Sequence, residues 1–261
     1  MRLATICSST FFWAAAAALG AVVASPARAA QPEAVTKIYV LEVPPAMDGA
    51  FRKGVQTWEK CLEAHKAAFT LHAYDAESGD LGRYAFIEAH RSWGDLDTHD
   101  PAGKACNATF RENILPHFTQ GSAEFAQPTA KISYTAGDDP DSAAPIVWVD
   151  ALRFKPGHER DYIAYASKFA AAAAKMHFNQ PYEGYEVFGS GHGGESLLLV
   201  GAGKTWAEIG ADPVPDPDKM MEEVYGKKVA KALREEATAS IAEHWADAWS
   251  YDKELTYLPK K

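Results

Sequence analysis

Two stretches of this chain share one plan. AHRSWGDL (Ala89 to Leu96) and AGKTWAEI (Ala202 to Ile209) each carry a base, a hydroxyl residue, tryptophan, a small residue, an acid and an aliphatic, 113 residues apart. A second echo joins ILPHF (Ile114 to Phe118) to IAEHW (Ile241 to Trp245), 127 residues apart, and Glu42 and Asp150 fall in comparable places of two candidate strands. An internal repeat of this period restricts the fold to two copies of one unit that stack on each other.

The order of predicted elements follows the same plan. KIYVLEV (37–43) reads as a strand and Asp48 to Ala68 as an amphipathic helix; a hairpin turns at 77–82, a helix runs over 101–125, and AKISYTA closes the unit as a strand. GDDPDSAAP reads as a linker by its turn residues and acids. The order then repeats: PIVWVDALRF as a strand, 159–176 as a helix, a hairpin around GSGHGGE, a long helix from Asp218 to about Tyr251, and KELTYL as a strand. GSGHGGE joins two strands and opens no helix, so it is not a phosphate loop.

The N-terminus has the anatomy of a secretory signal peptide: Arg2, an apolar block from Phe11 to Ala24, and small residues Ala27 and Ala29 at the expected cleavage site. That block is shorter than the roughly 20 residues of a spanning helix. The expected organisation is a signal peptide at 1–29, a first unit at 30–136, a linker at 137–144 and a second unit at 145–261, in a protein that is periplasmic or secreted, with no membrane insertion. Loss of Arg2 and Arg28 moves the formal charge from −9 to −11, a balance that disfavours nucleic acid as a partner. Cys61 and Cys106 are the cysteines beyond Cys7.

Two consecutive βαββαβ units, each with tryptophan after its third strand, resemble the dimeric α/β-barrel superfamily of ferredoxin-like domains, which includes antibiotic-biosynthesis monooxygenase-like proteins, haem-degrading monooxygenases and chlorite dismutase relatives. The resemblance implies an α+β fold in which two tandem ferredoxin-like units close an intramolecular α/β barrel, as a monomer (a pseudo-dimer) or a homodimer. It also implies that the end of the first helix neighbours the start of the second, which brings Cys61 towards Cys106. A disulfide is then expected in an oxidising compartment; the alternative is two buried free thiols.

Candidate ligand-binding residues are His117 and His244, placed on the final helix of each half, with Trp93 and Trp206 after the third strands. A histidine in such a position serves as a base or a haem ligand, or simply packs at the edge of a helix stripe. Pro116 is expected to kink the first of these helices. Weaker candidates are Glu42, Glu88, His90 and Asp150, with His72 and Arg153 beside them on strands; the spacing of the carboxylates and histidines matches no metal motif, and none is assigned. Haem is a possible cofactor by resemblance, although DPAGKAC (100–106) holds no histidine where haem-degrading relatives place theirs. The expected function is binding of a small apolar or aromatic ligand between helices and sheet. The alternatives are a cofactor-free or haem-dependent monooxygenase-like enzyme, and a structural or interaction protein without a pocket.

Overall fold

The structure is a computed structural model that describes residues 34–90, 92–135, 143–190 and 196–260. The proposed signal peptide, most of the linker and residues 191–195 of GSGHGGE lie outside them.

Eight strands carry the architecture: β1 (Val35–Glu42), β2 (Leu71–Ala76), β3 (Arg83–His90), β4 (Gln120–Pro128), β5 (Ile146–Phe154), β6 (Tyr182–Phe188), β7 (Leu197–Gly203) and β8 (Ile241–Tyr257). They close into one barrel in the order β1-β3-β2-β8-β5-β7-β6-β4, with antiparallel pairing at every seam. Within 34–135 the order is β4-β1-β3-β2, and within 143–260 it is β8-β5-β7-β6. Each set completes the other, because β2 pairs with β8 and β4 with β6.

Strands in such a ring are covered on both faces, so their sequences are apolar on both parities. In β1, Tyr39 and Leu41 point outwards to the helices, and Val40 faces the interior with Ile87, Val147, Val149 and Trp249. Opposed residues of an antiparallel pair point the same way, which extends this assignment to every strand.

Helix α1 (Asp48–Ala64) covers the first outer face. Phe51, Val55 and Leu62 are buried against Tyr84 and Phe86, and Trp58 meets Phe110 edge to face at 5.9 Å. α2 (Pro101–Ala105) begins at Asp100, whose carboxylate accepts from Ala102 N at 2.7 Å, and α3 (Asn107–Asn113) follows. Cys61 and Cys106 form a disulfide between α1 and the α2/α3 junction, as expected. The helices approach so closely that a Cβ at Gly54 would stand 1.8 Å from the Asn113 carbonyl oxygen.

In the second half, α4 (Glu159–Met176), α6 (Pro217–Tyr225) and α7 (Lys227–Ser240) pack on one another through Ala172, Ala173, Met220, Met221 and Ala230, while α5 (Trp206–Ile209) is a single turn after β7.

Three predicted elements are corrected. The helix expected over 101–125 ends at Asn113, because Pro116 cannot donate to a helical ladder; it sits in the 3-10 turn Leu115–His117, and Gln120 onwards is β4. AKISYTA is not the closing strand, since Ala130–Ile132 is a 3-10 turn. The long helix expected to reach Tyr251 stops at Ser240, and residues 241–257, KELTY included, form the single strand β8. His117 and His244 therefore lie on neither of the helices expected for them.

Candidate functional site

The two outer sheet faces differ in what they carry. In the first half, Tyr39, Leu41, Tyr84 and Phe86 fill the space beneath α1. In the second half the same face of β5 carries Trp148, Asp150, Leu152 and Phe154, and opposite Trp148 and Ile146 the neighbouring strand has Gly201 and Gly203. Gly201 is flanked on its other side by Tyr182. A Cβ there would meet nothing nearer than the Trp148 carbonyl oxygen at 4.0 Å, so open space lies above it. Trp148 is 38% exposed for the same reason.

This slot is walled by α4 through Tyr162, Tyr165 and Phe169, and rimmed by the loop through Asn179 and Gln180. It belongs to a cavity of about 1860 Å³ that continues into the barrel interior past Tyr74, Tyr185 and Trp249. There Arg83 Nη1 pairs with Asp247 Oδ2 at 3.0 Å, and the guanidinium carbon Cζ of Arg83 lies 5.1 Å from the centre of the Trp249 ring. Burial is the main cause raising the phenol pKa values of Tyr162, Tyr165 and Tyr182, so all three stay protonated at neutral pH. Burial also raises Tyr74 inside the barrel to about 12.

Beside the slot stands a carboxylate–imidazole pair, of which only Asp150 lines the cavity. Asp150 lines the cavity from β5, and His244 on β8 places Nε2 2.9 Å from Asp150 Oδ1. Opposition of His244 to Leu152 puts the imidazole on the same outward face. The sequence marks both residues as candidates; only the strand pairing joins them.

The other candidates are dispersed. His117 is half-buried in its 3-10 turn, and its Nδ1 has no hydrogen-bond partner among the described residues. Trp93, 40% exposed, stacks at 5.3 Å on Phe125 and donates to Gln127 Oε1 at 3.3 Å; Trp206 is exposed at the start of α5. Neither lines the cavity. Glu42 ends β1, exposed and opposite Arg83 and Gln120, whereas Asp150 is mid-strand, so the two places are not comparable. Glu88 faces outwards beside Lys37 and Tyr39. His90 pairs with Val35 through its backbone, and its side chain lies outside the described set. His72 faces the barrel interior near Tyr251. Arg153 pairs with Glu243.

A second charged cluster lies between α1 and the β2–β8 seam. Arg52 contacts Asp75 at 3.2 Å, Asp252 at 2.5 Å and Glu254 at 3.3 Å. Desolvation, with repulsion from Asp252, pushes the Glu59 carboxyl up to about 7 and Asp75 up to about 6. Cys61, His65 and Cys106 have the mutual proximity of metal ligands, but the disulfide occupies both sulfurs.

No family model and no curated protein sequence matches this chain. Solved structures do. The chain is similar to an anthrone oxidase-like protein at 13% identity, over 85% of this chain and 92% of that one, with a TM-score of 0.53. It is similar to a monooxygenase-like protein from Fusobacterium nucleatum subsp. nucleatum at 10% identity, over 84% and 93%, TM-score 0.50. A mutant chlorite dismutase from Candidatus Nitrospira defluvii in complex with cyanide matches at 10% identity over 85% and 92%, again with TM-score 0.50. At these identities the likeness is one of fold: an α/β barrel of the monooxygenase-like and chlorite dismutase-like kind.

The phenols of the slot do not themselves supply a ligand for the haem that such a fold can imply. An axial ligand must come from histidine, thiolate, thioether or tyrosinate, and the slot offers phenols held protonated by burial. Imidazoles stand at its margins instead: His244, half exposed with Nε2 held by Asp150, and His72 on the barrel interior of the same cavity.

Proposed function

We propose that the chain is an exported binding protein that takes a small apolar or aromatic molecule between α4 and the second-half sheet. The observation that carries this reading is the contrast between the two outer faces: one is filled by Phe51, Val55 and their neighbours, while the other opens over Gly201. Aromatic walls with a few convergent polar groups are the usual composition of a small-molecule site.

Around that core stand the wider expectations. The repeated strand order, with each half completing the other, favours a tandem duplication with units at 30–136 and 145–261, and a pseudo-dimeric monomer. The 113-residue echo supports it, since β3 ends at His90 and β7 at Gly203, each three residues before its tryptophan. The 127-residue echo does not, because His117 lies in a 3-10 turn ahead of β4 whereas His244 lies within β8. The apolar N-terminal block motivates cleavage near Ala29 and a periplasmic or secreted location.

Binding is tested by screening small aromatic compounds for a rise in melting temperature. A ligand at 100 times its Kd should stabilise by about 2.7 kcal/mol, and Trp148→Ala should abolish the rise. If no compound shifts the wild type, or if the shift survives in Trp148→Ala, the slot is not the site. The second reading, a cofactor-free monooxygenase-like enzyme, is favoured by the Asp150–His244 pair; it predicts oxygen consumption that depends on the bound compound.

A further inference from the structure

We infer that the slot is an aromatic cage for an organic cation, so that its ligand class is a substituted ammonium ion with an aryl or apolar body and Asp150 as counter-ion. This rests on the binding reading above and goes beyond it by naming the charge that the slot selects.

The residues involved form a closed circuit in which each neighbours the next. Trp148 on β5 stands opposite Gly201 on β7, and Gly201 stands opposite Tyr182 on β6. The Tyr182 ring lies 6.0 Å from Phe169 on α4, Phe169 lies 6.1 Å from Tyr165, and Tyr165 lies 6.1 Å from Tyr162. Successive planes in that chain are tilted by 57°, 43° and 58°, so the rings turn around the slot instead of stacking flat. Burial chiefly, and with it the charge of Asp150, raises the Tyr162 phenol, which sets the carboxylate against the same chamber. Asp150 closes the circuit two residues from Trp148 on the same face of β5, and all of these side chains line the cavity.

The face of an aromatic ring is electronegative and attracts a cation within about 6 Å of its centroid. Asp150 supplies the formal charge of the circuit. Its Oδ1 is taken by His244 Nε2 at 2.9 Å, and its Oδ2 has no partner among the described residues. A neutral imidazole only donates there and leaves the charge of the carboxylate in place. Lys204 and Glu208, beyond the end of β7, contribute one charge of each sign and are joined by a hydrogen bond from Lys204 N to Glu208 Oε2 at 2.6 Å. Arg234, near Tyr165, is paired with Asp218. The formal charge of −9 over the chain draws cations towards the protein and keeps anions away. An anion in the slot would meet Asp150 and the ring faces together, and both would repel it.

The probes are phenyltrimethylammonium and tert-butylbenzene, which share one shape and differ in the atom, nitrogen or carbon, that carries the methyl groups. Water holds the ion far better than the hydrocarbon, so a preference for the ion has to come from the site. At pH 8, isothermal titration of the wild type should give a Kd for the ion roughly tenfold or more below that of the hydrocarbon. Asp150→Asn should raise the Kd of the ion by about the same factor and leave that of the hydrocarbon unchanged, while Trp148→Ala should weaken both. Tyr162→Phe keeps the ring face and should leave the Kd of the ion almost where it was. Equal affinities in the wild type, or tighter binding of the hydrocarbon, would overturn the cation and leave the slot standing, whether or not any variant folds. An ion whose Kd is unmoved by Asp150→Asn and Trp148→Ala sits elsewhere on the acidic surface, and the inference fails. A loss of about tenfold in Tyr162→Phe would place recognition on the hydroxyl and overturn the cage. Failure of both compounds to bind the wild type overturns the inference together with the binding reading.

Discussion

Replacement of Gly201 by leucine separates an open slot from a closed core more directly than any deletion. A Cβ at that position has its nearest neighbour 4.0 Å away, so the new side chain enters space instead of displacing atoms. Full burial of leucine is worth about 1.5–3 kcal/mol, and half of that, about 1 kcal/mol, is appropriate for a side chain lying between Trp148 and Tyr182 with one face to solvent. Removing a glycine from a strand adds roughly 0.5–1 kcal/mol. Gly201→Leu should therefore stabilise the protein by about 2 kcal/mol, which for a domain of this size raises the melting temperature by roughly 4–8 °C. Ligand affinity should fall at least tenfold, because the leucine occupies the seat of the ring. The assay is thermal unfolding with and without an aromatic ligand. A variant destabilised by about 1 kcal/mol or more would show that the space above Gly201 is already filled, and the argument for the site would fail with it.

Three further outcomes follow from the first half. Cys61→Ala with Cys106→Ala removes a cross-link across 45 residues, and loop-closure entropy sets the loss at about 4 kcal/mol, measurable by denaturant titration against the oxidised wild type. Gly54→Ala gains about 1 kcal/mol of helix propensity but forces a methyl against the Asn113 carbonyl between helices tied by the disulfide; overpacking should win, leaving a net loss of about 2 kcal/mol, and an unchanged or raised stability would contradict the packing described. Glu59, pushed from 4.5 up to about 7, holds its proton more tightly folded than unfolded, so its contribution is present at low pH and is lost as pH rises through about 7. Glu59→Gln should accordingly match the wild type near pH 4, below the unfolded value of 4.5, and exceed its melting temperature at pH 8; an equal difference at both values would refute that assignment.

The parts of this fold that were legible in the sequence are those with a local signature. β1 and β5 are runs of β-branched and aliphatic residues, α1 and α4 have clean helical spacing, and the tryptophan echo marks the ends of β3 and β7. The two closing strands were not legible. β8 places Trp245, Asp247, Trp249 and Tyr251 towards the barrel interior, so an acid interrupts the alternation, and Ile241, Trp245 and Trp249 then fall at a helical spacing of four. β4 reads QGSAEFAQP, with glycine, serine and glutamate on a strand whose pairing comes from β1 and β6 instead of its own propensity. That error moved both histidines onto helices and hid the fact that Asp150 and His244 are neighbours across a strand pair. The slot was invisible for a different reason: its defining element is the missing side chain of Gly201, and an absence acquires meaning only when Trp148 and Tyr182 are known to stand on either side.

The closure of the sheet has a consequence for how the protein behaves in a crowded compartment. An open four-stranded sheet presents two rows of unsatisfied amides and carbonyls, each a template on which another chain can add a strand and begin a fibre. Here the rows of one sheet are spent on those of the other, along β2–β8 and β4–β6. Covalent linkage of the halves keeps that mutual protection independent of concentration, so dilution does not expose a sticky edge in the way that separation of two subunits would.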